Sequence, residues 1–295
     1  MKAKIRGTEI YFDVAGMQMA PEANNTLVEK PVLFLIHGGP GGNHTRFKFN
    51  SIDLQKYAQL IFIDQRGCGW SKKTKPSDYT LENNIEDIEA LREYLGFKKI
   101  SILGVSYGGM VAQGYAIKYA KNIDKLILVV TAPSYHFMEE SKNNLQKIGT
   151  KQQIEICDKF LWNGTFKNNK DAEDYFRVLD PLYFYKKPKK RDIKAKYLTG
   201  NVGQLNVLSY EVLNVGFGTF LRKFNFIPKL HKITCPTLIL AGKNDWICSA
   251  NQSKILAKGI KGSILKIFPN CGHAIASDAN KAYLKAVTHF LKQKA

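Results

Sequence analysis

Short, nearly continuous apolar runs alternating with amphipathic segments constrain this chain more than any other feature. Residues 31–37, 60–64, 100–105 and 125–130 are β-branched or leucine-rich with little polar alternation. Runs of this kind suit strands covered on both faces, the condition of a parallel sheet flanked by helices. Within residues 81–95, Ile85, Ile88, Leu91, Tyr94 and Leu95 fall at helical spacing and form an amphipathic crossover. Residues 3–6 and 9–14, separated by Gly7 and Thr8, read as an opening antiparallel hairpin, and residues 16–30 as a polar linker.

The alternation stops over residues 133–226, where helical stretches such as 154–162 and 171–179 come without a convincing buried strand. It resumes with strands at 236–241 and 264–268 and helices at 252–260 and 279–292. Neither flank alone supplies a complete sheet. The expected organisation is therefore one α/β domain, residues 1–132 and 227–295, interrupted by a helical cap or lid of residues 133–226.

Composition excludes several classes. The 295 residues carry 44 Lys+Arg against 25 Asp+Glu, a net charge of +19, with 44% hydrophobic residues. That is a globular composition, neither disordered nor collagenous. No apolar run approaches the roughly 20 residues of a membrane span. Lys2, Lys4 and Arg6 alternate with small apolar residues and do not read as a secretory signal. Cys68, Cys157, Cys235, Cys248 and Cys271 are scattered without a CxxC pair, so neither a disulfide framework nor a metal site is expected, and a cytoplasmic location is. Only seven of the basic residues are arginine, and the densest run, Lys186 to Lys196, reads as a solvated loop. The charge serves solubility and steering, and no nucleic-acid partner is expected.

The sharpest chemical signal is Gly104-Val105-Ser106-Tyr107-Gly108-Gly109, where a strand pattern ends and a helical one begins. This is the G-x-S-x-G nucleophile elbow in its required context; the alternative is a glycine-bearing turn with an incidental serine. A serine hydroxyl needs a base to take its proton and an acid to orient that base, in the chain order Ser, acid, His. Asp245 and His273 each follow a C-terminal strand, on loops where open α/β sheets bind ligands. His44 and His136 precede the acid, His231 precedes a strand and His289 lies inside the last helix, so each reads as an ordinary surface polar group. Asp124 begins a strand. Asp278 lies beyond the histidine, reads as an ordinary surface polar group, and is expected to tolerate replacement.

Acyl transfer also needs donors for a tetrahedral oxyanion. The glycine run at 37–41 follows a strand and lacks the Lys-Ser or Lys-Thr of a phosphate loop. The two donors are assigned to the backbone N–H groups of Gly39 and Tyr107. Cys248 and Cys271 lie on the acid and histidine loops and read as buried reduced thiols. Trp162, Tyr175, Phe176, Tyr183, Phe184 and Tyr185 divide between cap core and pocket lining, most going to core.

With HGGPG at 37–41, DQRGCGWS at 64–71, GVSYGG at 104–109, GKNDWIC at 242–248 and CGH at 271–273, the chain resembles the α/β-hydrolase superfamily and, within it, the proline iminopeptidase-like serine peptidases. The resemblance spans nearly everything outside the cap. It implies the α/β-hydrolase fold and a serine hydrolase that needs no cofactor, acting through an acyl-enzyme on a small molecule or short peptide. In DQRGCGWS it implies a structural role for Arg66. The family's aminopeptidases typically read GGSWGG at the elbow, where this chain has Val105 and Tyr107. They also use acidic residues, mostly in the cap, to bind the substrate's free amino terminus. Glu211, beside Tyr210, Val212 and Leu213, is the first candidate here, followed by Glu139 and Glu140. Trp246 stands where some relatives carry a glutamate. A carboxylesterase or lactonase needs no such acid and remains open, as does a binding receptor with little turnover. Ser106 disfavours the dehalogenase and epoxide hydrolase relatives, which place aspartate at the elbow.

Overall fold

The computed structural model describes residues 1–21, 26–185 and 208–293. Among the described residues ten strands form in chain order: β1 (Lys2–Ile5), β2 (Thr8–Ala15), β3 (Met19–Pro21), β4 (Leu27–Glu29), β5 (Val32–Ile36), β6 (Gln59–Ile63), β7 (Ile100–Val105), β8 (Ile123–Val129), β9 (Thr237–Gly242) and β10 (Ile264–Phe268). Eight of them make one sheet in the order β1-β2-β6-β5-β7-β8-β9-β10. The hairpin β1-β2 runs antiparallel and β2 pairs antiparallel with β6; every later pairing is parallel. The small β3-β4 hairpin replaces part of the expected linker. Its strands are three residues each and largely exposed, too short for a period-2 pattern to register.

The apolar strands are continuous because alternate side chains enter two different cores. Val32, Phe34 and Ile36 of β5 join one cluster while Leu33 and Leu35 join the other, and β8 splits likewise between Leu126, Leu128 and Ile127, Val129. On the first face lie α2 (Leu81–Tyr94), started by Thr80, whose side chain accepts the Asn83 N–H at 3.0 Å, and α3 (Tyr107–Lys118). The second face packs Phe47 of α1 (His44–Ser51) with Tyr283, Val287 and Phe290 of the terminal helix. Lys125 is buried in β8 because its ammonium caps that helix, donating to Leu291 O at 2.8 Å and Phe290 O at 3.3 Å.

Between β8 and β9 the described chain is helical: α4 (Phe137–Ile148), α5 (Lys151–Ile156) running into a π-helical turn (Cys157–Leu161), α6 (Asn169–Tyr183) and α7 (Tyr210–Gly218). The two ends of this segment are stitched together, Tyr135 N–H donating to Phe224 O at 2.9 Å and Phe226 N–H to Pro133 O at 2.8 Å. The lysine run from Lys186 lies outside the described residues. After β9 come α8 (Ala250–Gly259), α9 (Ile275–Asp278) and α10 (Asn280–Lys292). No helix among the described residues is long and apolar enough to cross a membrane.

From β5 the chain crosses to β6 on one side, and from the adjacent β7 it crosses to β8 on the other. Chain direction therefore diverges between β5 and β7, and a crevice at the carboxyl ends of these strands follows from the topology. The loop 37–41 and Ser106 flank it. The turn there is packed backbone to backbone: a Cβ on Gly108 would lie 2.2 Å from Ile36 O and 2.6 Å from His37 O. Gly108→Ala is accordingly expected to lower stability by about 1–3 kcal/mol, whereas Gly218→Ala, whose nearest neighbour would be Asn163 O at 3.4 Å, is expected to leave the melting transition nearly in place. Equal melting temperatures for the two variants would overturn this account of the turn.

Candidate active site

Ser106 ends β7 and precedes α3 with φ 55° and ψ −120°, a positive-φ conformation that residues with side chains rarely adopt. Its backbone is held on both sides: its N–H donates to Val129 O at 2.9 Å and its carbonyl accepts from Thr131 Oγ1 at 2.7 Å. Gly104 is required because a Cβ there would lie 2.3 Å from Gly108 O. The glycines are thus steric conditions for a turn that lifts a serine out of the sheet.

Asp245, on the loop after β9, has a fully buried carboxylate. Its Oδ1 accepts the N–H groups of Ile247 at 2.9 Å and Cys248 at 3.1 Å, and its Oδ2 lies 2.8 Å from His273 Nδ1. Two backbone donors fix the carboxylate and leave its other oxygen to the imidazole. The acid and histidine loops are laced to each other: Asn244 N–H donates to Cys271 O at 2.9 Å, and a Cβ on Gly242 would lie 2.2 Å from Gly272 O. With Nδ1–H directed at Asp245, His273 keeps Nε2 as its basic nitrogen.

Ser106 and His273 line one cavity of about 500 Å³, together with Gly38, Gly39 and Trp246. Gly38 packs on the serine, a Cβ there falling 3.2 Å from Ser106 Cβ. The N–H groups of Gly39 and Tyr107 have no acceptor among the described residues. Burial, reinforced by Asp245 and Glu140, pushes the Cys248 thiol well above the usual range and keeps it protonated. A second cavity of about 490 Å³ opens where β5 and β7 begin, but it is lined by residues such as Lys30, Phe97 and Lys99 and offers no serine, cysteine or histidine.

Trp246 lines the pocket, set edge-on to Trp162 and to Tyr183. The acids singled out from sequence do not line it. Glu211 lies on the far side of α7 from Leu213 and Phe217, which do, and pairs with Lys73 at 3.5 Å. Glu139 is exposed. Glu140 binds the start of α8, accepting from Ser249 Oγ at 2.6 Å, Gln252 Nε2 at 2.6 Å and Asn251 Nδ2 at 3.1 Å. Burial opposes its ionisation, but these donors win and hold its carboxyl below the usual range. Among the described residues, the carboxylates that line the cavity are Glu173 and Asp180 of α6. They are seven residues apart, hence about 20° apart around the helix, on the stripe that also carries Phe176 and Tyr183. Neither carboxylate is ion-paired or hydrogen-bonded among the described residues.

Three further readings change. Asp278 is half-buried and anchored: its Oδ2 accepts from Gly272 N–H at 2.9 Å and Tyr185 N–H at 3.0 Å, tying the histidine loop to the end of α6. Nearby, Ala274 N–H donates to Tyr183 O at 2.9 Å, and the Tyr183 ring stands edge-on to His273. His44 is buried as well, its Nδ1 2.8 Å from Asp64 Oδ1; this second His–Asp pair lies off the pocket and braces the loop before α1. Of the aromatics assigned mostly to core, Trp162, Phe176, Tyr183 and Phe184 line the cavity, while Tyr175 is core and Tyr185 is exposed. Arg66 is structural as expected, bound through Nε at 2.9 Å and a terminal nitrogen at 2.6 Å to Asp87.

Comparison with known proteins agrees with this architecture. The model of the alpha/beta hydrolase fold family matches residues 31–279. A proline iminopeptidase from Pestalotiopsis fici is 33% identical over 298 residues, covering 98% of each chain. One from Saccharolobus solfataricus is 33% identical over 301 residues, covering 98% of this chain and 91% of its own. Among solved structures, a proline iminopeptidase from Mycobacterium smegmatis superposes with a TM-score of 0.75 at 18% identity, over 99% of this chain and 97% of that one, a likeness of fold. Sequence motifs, sheet order and relatives converge: the chain is an enzyme of the α/β-hydrolase family, on its proline iminopeptidase-like branch.

Proposed function

We propose that this enzyme is a serine hydrolase of the proline iminopeptidase type, with Ser106 as nucleophile, His273 as base, Asp245 as the orienting acid and residues 133–226 as the cap. The observation that carries the reading is the 2.8 Å pairing of His273 with a buried, doubly anchored Asp245 on the wall of the cavity that Ser106 also lines. His273 Nε2 takes the Ser106 proton as Oγ attacks the substrate carbonyl carbon. The carbonyl π bond opens onto oxygen, and the Gly39 and Tyr107 N–H groups receive the negative charge. Collapse of the tetrahedral adduct expels the amine, which leaves with the proton from Nε2. Water then attacks the ester so formed with the same base, releasing the acid and restoring the Ser106 hydroxyl.

Substrate choice follows from the wall opposite. Asp180 and Glu173 place negative charge, unpaired among the described residues, beside Phe176, Tyr183 and Trp246. A small apolar residue with a free ammonium group, such as an amino-terminal proline, matches both features. These two acids take the place that Glu211, Glu139 and Glu140 do not fill.

Ser106→Ala is expected to abolish labelling by a fluorophosphonate probe while far-ultraviolet circular dichroism stays unchanged; a labelled peptide containing another serine would refute the nucleophile assignment. Asp245→Asn is expected to lower kcat by about 10⁴-fold, measured on the substrate the enzyme turns over best. A charge-assisted contact is worth roughly 1.5–3 kcal/mol, so Asp180→Asn or Glu173→Gln should raise KM for a prolyl arylamide by about 10- to 100-fold. Hydrolysis of a neutral ester should be little affected. Glu211→Gln and Glu139→Gln should leave both reactions alone. An enzyme that splits neutral esters and ignores every free-amine substrate would sink the aminopeptidase reading and promote the esterase or lactonase one. Asp278→Ala is expected to reduce kcat at least several-fold, because the histidine loop loses its tie to α6; unchanged turnover would return Asp278 to the surface role read from sequence.

A further inference from the structure

The loop 37–41 contains a buried imidazole that the reaction as written does not use. His37 directly follows β5 and is almost inaccessible to solvent. Its Nε2 lies 3.1 Å from the backbone nitrogen of Gln65, a group that can only donate, so Nε2 accepts. The ring proton is thereby confined to Nδ1, which lies 2.8 Å from the carbonyl oxygen of Gly38 and donates to it. The Gln65 side-chain nitrogen also lies 3.2 Å from Nδ1, but one ring nitrogen must carry the proton, and the backbone N–H facing Nε2 cannot turn away; the amide instead donates to His37 O at 2.8 Å. A second ring proton would have to face the Gln65 N–H. Burial and the neighbouring His44 also depress the imidazole's affinity for it, and Asp64, the one facing charge that favours it, does not prevail.

What the Nδ1–H holds is one end of the Gly38–Gly39 peptide. That peptide is trans, so its C=O and N–H point in opposite directions. With the carbonyl drawn toward the ring, the Gly39 N–H turns the other way, and both glycines line the cavity against Ser106. A peptide between two glycines has little steric resistance to rotating as a unit. Turned over, it would present a carbonyl oxygen to the developing oxyanion and repel it.

We propose that His37 is the positioning residue of the oxyanion site: its neutral, Nδ1-protonated ring pins the Gly38 carbonyl and thereby keeps the Gly39 N–H directed into the pocket. The proposal rests on Gly39 being an oxyanion donor, as above.

Two measurements test it. In the wild-type enzyme, nitrogen-15 spectra of the imidazoles should show His37, identified by its loss in His37→Asn, as the Nδ1–H tautomer throughout the neutral pH range. An Nε2–H tautomer, or an imidazolium forming in that range, would overturn the proposal. Kinetically, His37→Asn keeps an amide donor close to the Nδ1 position and should retain kcat to within a few-fold. His37→Leu has no donor and should lose about 10²–10³ in kcat, the loss for one oxyanion donor, with KM nearly unchanged and boronate affinity falling in proportion. A merely structural role predicts the same loss in both variants with no kcat–KM split, and that result refutes the proposal. If His37→Leu does not fold, the wild-type tautomer and the activity of His37→Asn decide. Failure of the parent reading is separately visible: a wild type unlabelled at Ser106 by fluorophosphonate removes the oxyanion site itself, whereas a labelled wild type with full activity in His37→Leu removes only the role of His37.

Discussion

Everything at the candidate site depends on how closely the turn after β7 approaches the end of β5. With no side chain at Gly104 or Gly108, backbone meets backbone, and Ser106 is raised into a crevice that the sheet order has already opened. The same approach sets the loop 37–41 beside the serine. The two proposed oxyanion donors come from different elements, one from the loop after β5 and one from the first residue of α3. What would bring them together is strand adjacency, with Ile36 opposite Gly104 in the register. A wider turn would separate the proposed nucleophile from the proposed donors even with every polar residue retained.

The elements most legible in the sequence were those with the strongest local cause. Strand β7 falls where its apolar run placed it because it is buried on both faces, so the run and the strand share their ends. Asp245 and His273 were readable because each follows a strand, and the carboxyl end of a strand in a parallel sheet is a fixed location in space. Less legible was anything decided by which edge of a helix meets the cavity. Helix α6 carries Asp171, Glu173, Asp174 and Asp180, and its pattern identifies an apolar face of Ala172, Tyr175 and Leu179. The cavity lies along one border of that face. Periodicity identifies the face and is silent on the border, so Glu173 and Asp180 escaped notice while Glu211 was chosen for its apolar neighbours. In α7 those neighbours point inward because the glutamate points out.

Asp278 escaped for another reason. A carboxylate whose second backbone donor lies 93 residues away, Tyr185 N–H joining that of nearby Gly272, leaves no trace of that tie in its own neighbourhood of the chain. Its effect is to bind the loop bearing His273 to the end of the helix bearing Glu173 and Asp180. Ala274 and Tyr183 make a second such bond, and Gly272 is glycine where a Cβ would lie 2.9 Å from Tyr183 O.

This linkage gives the proposed division of labour a mechanical content. The proposed triad and oxyanion donors stand on the sheet, where rigid strand ends hold them, while the acids proposed to read the substrate stand on a helix inserted after β8. In a structure built from two such parts, affinity and turnover would vary independently if the parts met only through the substrate. Here α6 reaches the base through Asp278 and through the Tyr183 carbonyl. A displacement of α6 that spoils the fit of an ammonium group to Asp180 also moves the loop that aims His273. On the proposed roles, recognition at the helix and proton transfer at the sheet would be joined through the protein as well as through the substrate. A poorly fitting substrate should accordingly lose turnover along with affinity.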